Sequence, residues 1–93
     1  VANQNSIRGN ELDRLDELSI FVAIIDTGSL AGAARQLRRS RPAVTRALAA
    51  LERRAGVSLI ARTTRQLMAT EAGRELAASA RRILSEYDVS LSG

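Results

Sequence analysis

Apolar residues recur every three or four positions from Leu12 onward, and this spacing predicts a first helix that ends at Gly28. The predicted buried stripe consists of Leu15, Leu18, Phe21, Val22, Ile24 and Ile25. Residues 1–11 are polar and show no period, so we expect them to form a disordered tail.

Two shorter helices follow, each with its own start and stop signals. Ser29 is a typical N-cap for a second helix, and residues 38–40 form a short turn after it. Ser40 as N-cap and Pro42 in the first turn begin a third helix that ends at Gly56. We expect the second helix to bury Leu30, Ala33, Ala34 and Leu37, and the third to bury Val44, Leu48, Leu51 and Ala55.

The helical period is lost after the third helix and returns at Thr70. Residues 59–62 and 66–69 are predicted strands, joined by a turn at 63–65. Thr70 is a good N-cap for a last helix of about twenty residues, or about 30 Å. Its apolar stripe consists of Leu76, Ala80, Ile83, Leu84, Tyr87 and Leu91. The alternative for this stripe is packing on the first helix of the same subunit, which accounts for part of it. So long a stripe exceeds what a small domain covers, and we expect it to hold a homodimer together.

These elements predict a mainly α fold, a winged helix-turn-helix. Residues 12–69 would form a three-helix core with a two-stranded β wing, and residues 70–93 would form a long linker helix used for dimerisation.

Positive charge is concentrated in the middle of the chain. Nine of the fourteen basic residues, all of them arginines, lie between Ala34 and Arg65 beside a single acid, Glu52. That segment carries +8, whereas the whole chain carries +4. A concentrated positive field attracts a polyanion and releases its condensed counterions.

The residue inventory disfavours other classes of function. The chain has no Cys and no His, so it lacks thiolate metal ligands, the commonest general base and the commonest metal ligand. No pair of acids stands out for catalysis, and no apolar run is long enough to span a bilayer. We therefore expect no enzyme activity, no metal, no cofactor in this chain and no membrane partner.

Several blocks of residues, in order, match one known family. These blocks are residues 21–23, 27–30, 33–37, 40–46, 51–52, 56–59, 62–65 and 70–73. In sequence they read Phe-Val-Ala, Thr-Gly-Ser-Leu, Ala-Ala-Arg-Gln-Leu, Ser-Arg-Pro-Ala-Val-Thr-Arg, Leu-Glu, Gly-Val-Ser-Leu, Arg-Thr-Thr-Arg and Thr-Glu-Ala-Gly. With these motifs, residues 12–88 closely resemble the N-terminal DNA-binding domain of LysR-type transcriptional regulators.

The resemblance implies a bacterial transcription factor that acts in the cytoplasm at the nucleoid. It also implies that the third helix enters the major groove and that the wing contacts the minor groove or the backbone. The last helix would pair with its copy in a second subunit. A full-length protein would add an effector-binding domain and form a dimer or a tetramer.

The chain departs from the family pattern at a few positions. Arg41 stands where the family usually has Gln, and Thr45 where it usually has Ser. Arg38 and Arg39 occupy a turn that often holds Gly and an apolar residue, and Ile60 replaces a usual Phe. The first two differences bear on base preference, and the arginine turn suggests either extra phosphate contact or a solvated loop.

Candidate DNA-binding residues follow from helix position and resemblance. Our base-reading candidates are Arg41, Pro42, Thr45 and Arg46. Our backbone or wing candidates are Ser29, Arg35, Ser40, Ala49, Arg53, Arg62, Thr64 and Arg65. Arg62 has an equal alternative, a structural ion pair with an acid such as Glu52, and we interpret Arg54, Arg81 and Arg82 as solvated.

We therefore predict sequence-specific binding of double-stranded DNA by a homodimer, at a roughly palindromic operator. The alternative is a winged-helix protein–protein interaction module without DNA specificity, which the +8 segment disfavours.

Overall fold

The computed structural model describes the backbone of residues 2–63 and 66–92 and the side chains of residues 14–63 and 66–87. Within these ranges the chain forms four helices and one antiparallel two-stranded sheet. The elements are α1 (Ala2–Thr27), α2 (Leu30–Leu37), α3 (Arg41–Ala55), β1 (Ile60–Arg62), β2 (Leu67–Ala69) and α4 (Glu71–Ser92). The predicted fold class, a mainly α winged helix-turn-helix with a long last helix, is confirmed.

The start of α1 corrects one prediction. The helix begins at Ala2 and runs for 26 residues, so residues 2–11 extend it instead of forming a disordered tail. Once a helix is nucleated by its packed part, each added residue gains a backbone hydrogen bond without a further nucleation cost. An apolar period is therefore not required for such an extension.

The ends of the first three helices follow the predicted caps. Gly28 and Gly56 adopt φ values of 76° and 74°, the left-handed conformation that stops α1 and α3. Arg38 ends α2 with φ 57°, although a side chain disfavours this conformation. The turn before α3 thus accepts backbone strain that glycine would avoid.

The core lies where α1, α2 and α3 meet, and α4 contributes Ala77 to it. Its four largest fully buried side chains are Phe21, Ile24, Leu59 and Val44. On α3, Leu48 and Leu51 are also buried as predicted, but Ala55 is exposed. Ala55 is the last residue of α3, and residues 53–58 are all exposed, so nothing packs over this final turn.

The wing and α4 are joined by close backbone contacts. β1 and β2 pair with Ile60 opposite Ala69 and Arg62 opposite Leu67, within a residue of the predicted strands. The Thr70 hydroxyl caps α4 by accepting from the Gly73 amide at 3.0 Å and donates to the Ser58 carbonyl at 2.8 Å. The wing therefore fixes where α4 begins.

The described part of the chain contains neither a membrane-spanning helix nor a metal-binding cluster. None of its helices has a stretch long and apolar enough for a membrane span. No cluster of three acidic, His or Cys side chains capable of holding a metal ion occurs among the described residues.

Candidate nucleic-acid interface

The outward face of α3 carries the predicted base-reading residues. Val44, Leu48 and Leu51 point into the core, whereas the opposite face is exposed. The exposed residues on it include Arg41, Pro42, Thr45, Arg46, Ala49 and Arg53. We call these six residues the α3 ridge. Because small residues alternate with arginines on the ridge, another backbone can approach it closely while the guanidinium groups extend outward.

In the first turn of α3, polar side chains form hydrogen bonds with the helix backbone, and the turn is open to solvent. The Ser40 hydroxyl accepts a hydrogen bond from the Ala43 amide at 3.2 Å, and this hydrogen bond is exposed to solvent. The Thr45 hydroxyl donates to the Arg41 carbonyl at 3.1 Å. Since its hydroxyl hydrogen is used within the helix, the methyl group of Thr45 is the part of the side chain left for an apolar contact.

A recess between the N-terminus of α2 and the wing brings three candidates together. Ser29, Arg41 and Arg62 all line it. The Ser29 hydroxyl accepts from the Gly32 amide at 2.8 Å and so caps α2. One cap residue and two arginines from separate elements therefore share a surface that has the size and charge to meet a phosphate.

Glu52 binds backbone amides, whereas the sequence allowed Arg62 as its partner. Its Oε2 accepts hydrogen bonds from the backbone amides of Leu59 at 2.8 Å and Ile60 at 3.3 Å. Among the described residues Arg62 forms no ion pair, and its side chain is exposed. An ion pair between Arg62 and Glu52 is therefore not formed, and Glu52 instead ties α3 to the start of the wing.

The other backbone and wing candidates belong to α2, to the later turns of α3 and to the wing tip. Arg35 is exposed in the last turn of α2, and Arg53 lines a recess with Ala49 at the end of α3. Thr64 and Arg65, predicted at the wing tip, lie outside the described residues. The DNA-binding roles of all these residues remain predictions.

Three arginines are held by acids of α1. Arg39 donates to both carboxylate oxygens of Asp16, at 2.6 and 2.7 Å. Arg81 on α4 does the same to Asp26, at 2.6 and 3.3 Å. Arg54 pairs with Glu17. Arg54 and Arg81 are thus not merely solvated, and Arg39, in the turn before α3, is bonded to Asp16 instead of only to solvent.

These pairs shift the pKa values of their members. The hydrogen bond from Arg81 lowers the pKa of Asp26 below its ordinary value. Hydrogen bonds to Asp16 and Asp26 raise the pKa values of Arg39 and Arg81, respectively. Sequence reasoning missed these pairs, although the acids at 16, 17 and 26 are visible in the first helix.

The pairing divides the basic residues into two groups. Six of the arginines on α2, the turn after it, α3 and β1 form no ion pair within the described part of the chain, whereas Arg39 and Arg54 do; the six are Arg35, Arg38, Arg41, Arg46, Arg53 and Arg62. They are all exposed. The positive field of the molecule is therefore strongest around the α3 ridge.

The predicted dimerisation stripe on α4 is only partly available. Ile83 and Tyr87 are 40% and 36% exposed. Leu76 and Leu84 are half-buried, and Leu76 packs against the core. Ala80 is fully buried within its own chain, so its placement in the stripe is corrected. The side chain of Leu91 lies outside the described residues.

Comparison with known proteins identifies the family of this domain. The family model described as "Bacterial regulatory helix-turn-helix protein, lysR family" matches residues 15–74, which include all of α2, α3 and the wing. The chain belongs to the LysR family. The resemblance that the sequence motifs suggested is confirmed.

Individual LysR-family relatives agree with this assignment. The HTH-type transcriptional regulator CrgA of Neisseria meningitidis serogroup C is 45% identical over 71 residues, which cover 76% of this chain and 24% of CrgA. The HTH-type transcriptional activator AaeR of Escherichia coli is 37% identical over 75 residues. These cover 81% of this chain and 24% of AaeR, so the chain spans about a quarter of either relative.

Solved LysR-type domains share the fold. The BenM_DBD/catB site 1 DNA complex matches with a TM-score of 0.81 and 31% identity, over 84% of this chain and 87% of that one. The CbnR_DBD–DNA complex matches with a TM-score of 0.79 and 37% identity, over 84% of this chain and 90% of that one. Both of these structures are of DNA-binding domains with DNA.

Proposed function

We propose that this chain is the DNA-binding domain of a LysR-type bacterial transcriptional regulator and binds double-stranded DNA in a sequence-specific manner. The observation that carries the proposal is the α3 ridge, an exposed row of small residues and of arginines without an ion pair among the described residues, on the third helix of a winged helix-turn-helix. Membership of the LysR family and the fold shared with two DNA-bound domains support it.

The start of α3 supplies the base contacts in this proposal. In helix-turn-helix docking, the N-terminal residues of the recognition helix meet base edges in the major groove. Arg41 and Arg46 are exposed there, and a guanidinium forks onto the O6 and N7 atoms of guanine. The methyl group of Thr45 suits the methyl group of thymine, because its hydroxyl already donates to Arg41.

Residues on and beside the ridge supply the phosphate contacts. Arg35, Arg53 and Arg62 are exposed and form no ion pair with the described residues, and Ser29, the cap of α2, lines the recess beside the wing. Such contacts fix the register of a protein on the duplex and provide most of the affinity. We expect the logarithm of the binding constant to fall steeply with the logarithm of the salt concentration.

The exposed part of α4 completes the proposal with a homodimer. Ile83 and Tyr87 present apolar surface on the helix that extends beyond the core. A symmetric pair of α4 helices would bury both and would present two α3 ridges to two half-sites. The operator is then roughly palindromic. We place the activity at the bacterial nucleoid in the cytoplasm, without a metal or cofactor bound to this chain.

The test compares two exposed arginines, one on the ridge and one on α4. Duplexes bound by the chain are selected from a random pool, and affinities for the selected duplex and for a random duplex are measured. We expect Arg46→Ala to weaken binding to the selected duplex by about tenfold and binding to the random duplex much less. Arg82→Ala is the control, because Arg82 is exposed on α4, away from the ridge.

Two results would contradict the proposal. An equal loss on both duplexes would make Arg46 a phosphate contact without a part in base reading. If the unaltered chain bound no duplex even at low salt, DNA binding itself would be refuted and the protein–protein interaction alternative would be favoured. The proteins compared offer no support for that alternative.

A further inference from the structure

The turn before α3 carries two arginines with different surroundings. Arg38 is exposed and forms no ion pair within the described part of the chain. The next residue, Arg39, directs both of its terminal nitrogens at Asp16, with Nη1 2.7 Å from Oδ2 and Nη2 2.6 Å from Oδ1. The turn therefore offers only one of its two cations to a ligand.

This ion pair lies next to the α3 ridge. Asp16 and Arg39 line the same surface recess as Arg46 and Arg53, between α1 and α3. The side chains of Arg39 and Asp16 are 42% and 40% exposed, so the pair sits at the surface. A DNA phosphate that approached this side of the ridge would meet a carboxylate and an occupied guanidinium.

We propose that Asp16 limits the affinity of this chain for DNA of any sequence by holding Arg39 against α1 and neutralising it. The proposal rests on the DNA-binding function proposed above. The fork of Arg39 that would grip a phosphate is filled by the two oxygens of Asp16, and the negative charge of Asp16 repels phosphate from the recess.

The consequence of such a limit is weaker binding to all duplexes alike. A phosphate contact does not depend on the base sequence, so it contributes to specific and to non-specific binding in the same way. Asp16 therefore lowers both affinities by about the same factor and leaves the preference for one sequence over another unchanged.

The molecule contains a matched control for this idea. Asp26 and Arg81 form a second two-pronged ion pair between an α1 aspartate and an arginine, at similar distances and with 45% and 49% exposure. Arg81 belongs to α4, and neither residue lines the recess beside the ridge. Replacing either aspartate by alanine changes the net charge by the same amount, so only location differs.

The experiment measures binding of the 93-residue chain to a random-sequence duplex between 50 and 200 mM salt. We expect Asp16→Ala to tighten binding by roughly fivefold at the lower salt and to steepen the log–log salt slope by about 0.9, the value for one added phosphate contact. Asp26→Ala should change binding less than twofold. Circular dichroism checks that both variants keep their fold, which we expect because exposed ion pairs contribute little to stability.

A second pair of variants assigns the gain to Arg39. Arg39→Gln alone should weaken DNA binding, since it leaves the carboxylate of Asp16 unpaired in the recess beside the ridge. Added to Asp16→Ala, it should abolish the fivefold gain. A gain that survived in the double variant would overturn the role of Arg39.

Three other results would also overturn the proposal. Equal gains from Asp16→Ala and Asp26→Ala would show that net charge alone is responsible. Either no gain or a loss of affinity in Asp16→Ala would show that Asp16 does not limit binding. Each of them is distinguishable from failure of the proposed function, in which the unaltered chain itself would not bind the duplex.

Discussion

Helices α3 and α4 are both buried on one side, yet their outer sides are suited to different partners. The outer side of α3 is arginine and small residues, whereas that of α4 includes Ile83 and Tyr87 with 40% and 36% exposure. A cationic ridge suits a polyanion, and an exposed apolar strip suits a second copy of itself. Two helices built on one core thus divide the proposed work of binding DNA and of dimerising.

The N-termini of the two helices differ in how far the rest of the chain covers them. Both are capped by a hydroxyl, Ser40 on the Ala43 amide and Thr70 on the Gly73 amide. Thr70 is also bonded to the wing through its amide and its hydroxyl, whereas the start of α3 is exposed. The N-terminus of α4 is bonded to the wing and has a structural role, whereas the N-terminus of α3 is exposed and available to a ligand.

The largest expected effect comes from placing a charge on the exposed side of α4. In Ile83→Asp, two carboxylates would face each other across a symmetric apolar interface. We expect the dissociation constant of the dimer to rise by at least about 100-fold. Analytical ultracentrifugation measures this. Ser85→Asp, on the opposite side of α4, should leave the dimer intact. Equal effects of the two changes would place the dimer contact elsewhere.

The next effect tests the closed end of α4. A Cβ atom at Gly73 would lie 2.1 Å from the Leu59 carbonyl oxygen, so Gly73→Ala must displace the wing or α4. We expect it to lower the free energy of unfolding by about 2–3 kcal/mol, measured by urea denaturation. Gly56→Ala meets no atom within 4 Å and should cost only about 1 kcal/mol for its positive φ. A smaller loss at Gly73 than at Gly56 would mean that α4 is not tightly held.

The smallest effect concerns the open end of α3. Arg38 adopts φ 57° just before that helix, and glycine takes this conformation without steric cost. We expect Arg38→Gly to raise the free energy of unfolding by about 0.5–1 kcal/mol in the same assay. Arg35→Gly, in the right-handed helix α2, should lower it by about 1 kcal/mol. Destabilisation by both changes would show that Arg38 is not strained.

The two helices also show how far the sequence could be interpreted. The helix ends were predicted correctly from five cap residues, because a cap acts on amides or carbonyls within one turn of itself. These residues are Ser29, Ser40, Thr70, Gly28 and Gly56. Burial at helix ends was harder to predict. Ala55 and Ala80 fit their stripes equally well, but Ala55 is exposed where α3 ends and Ala80 is enclosed within its own chain.

The sequence by itself determined the order of elements, the winged helix-turn-helix class, the family and the concentration of arginine around α3, because all of these follow from spacing and composition within short segments. Tertiary structure decided which arginines remain unpaired. Asp16 and Arg39 are 23 residues apart, and Asp26 and Arg81 are 55 apart. A charge can choose such a partner only after packing of α1 against the rest of the chain has brought the two side chains within hydrogen-bonding distance.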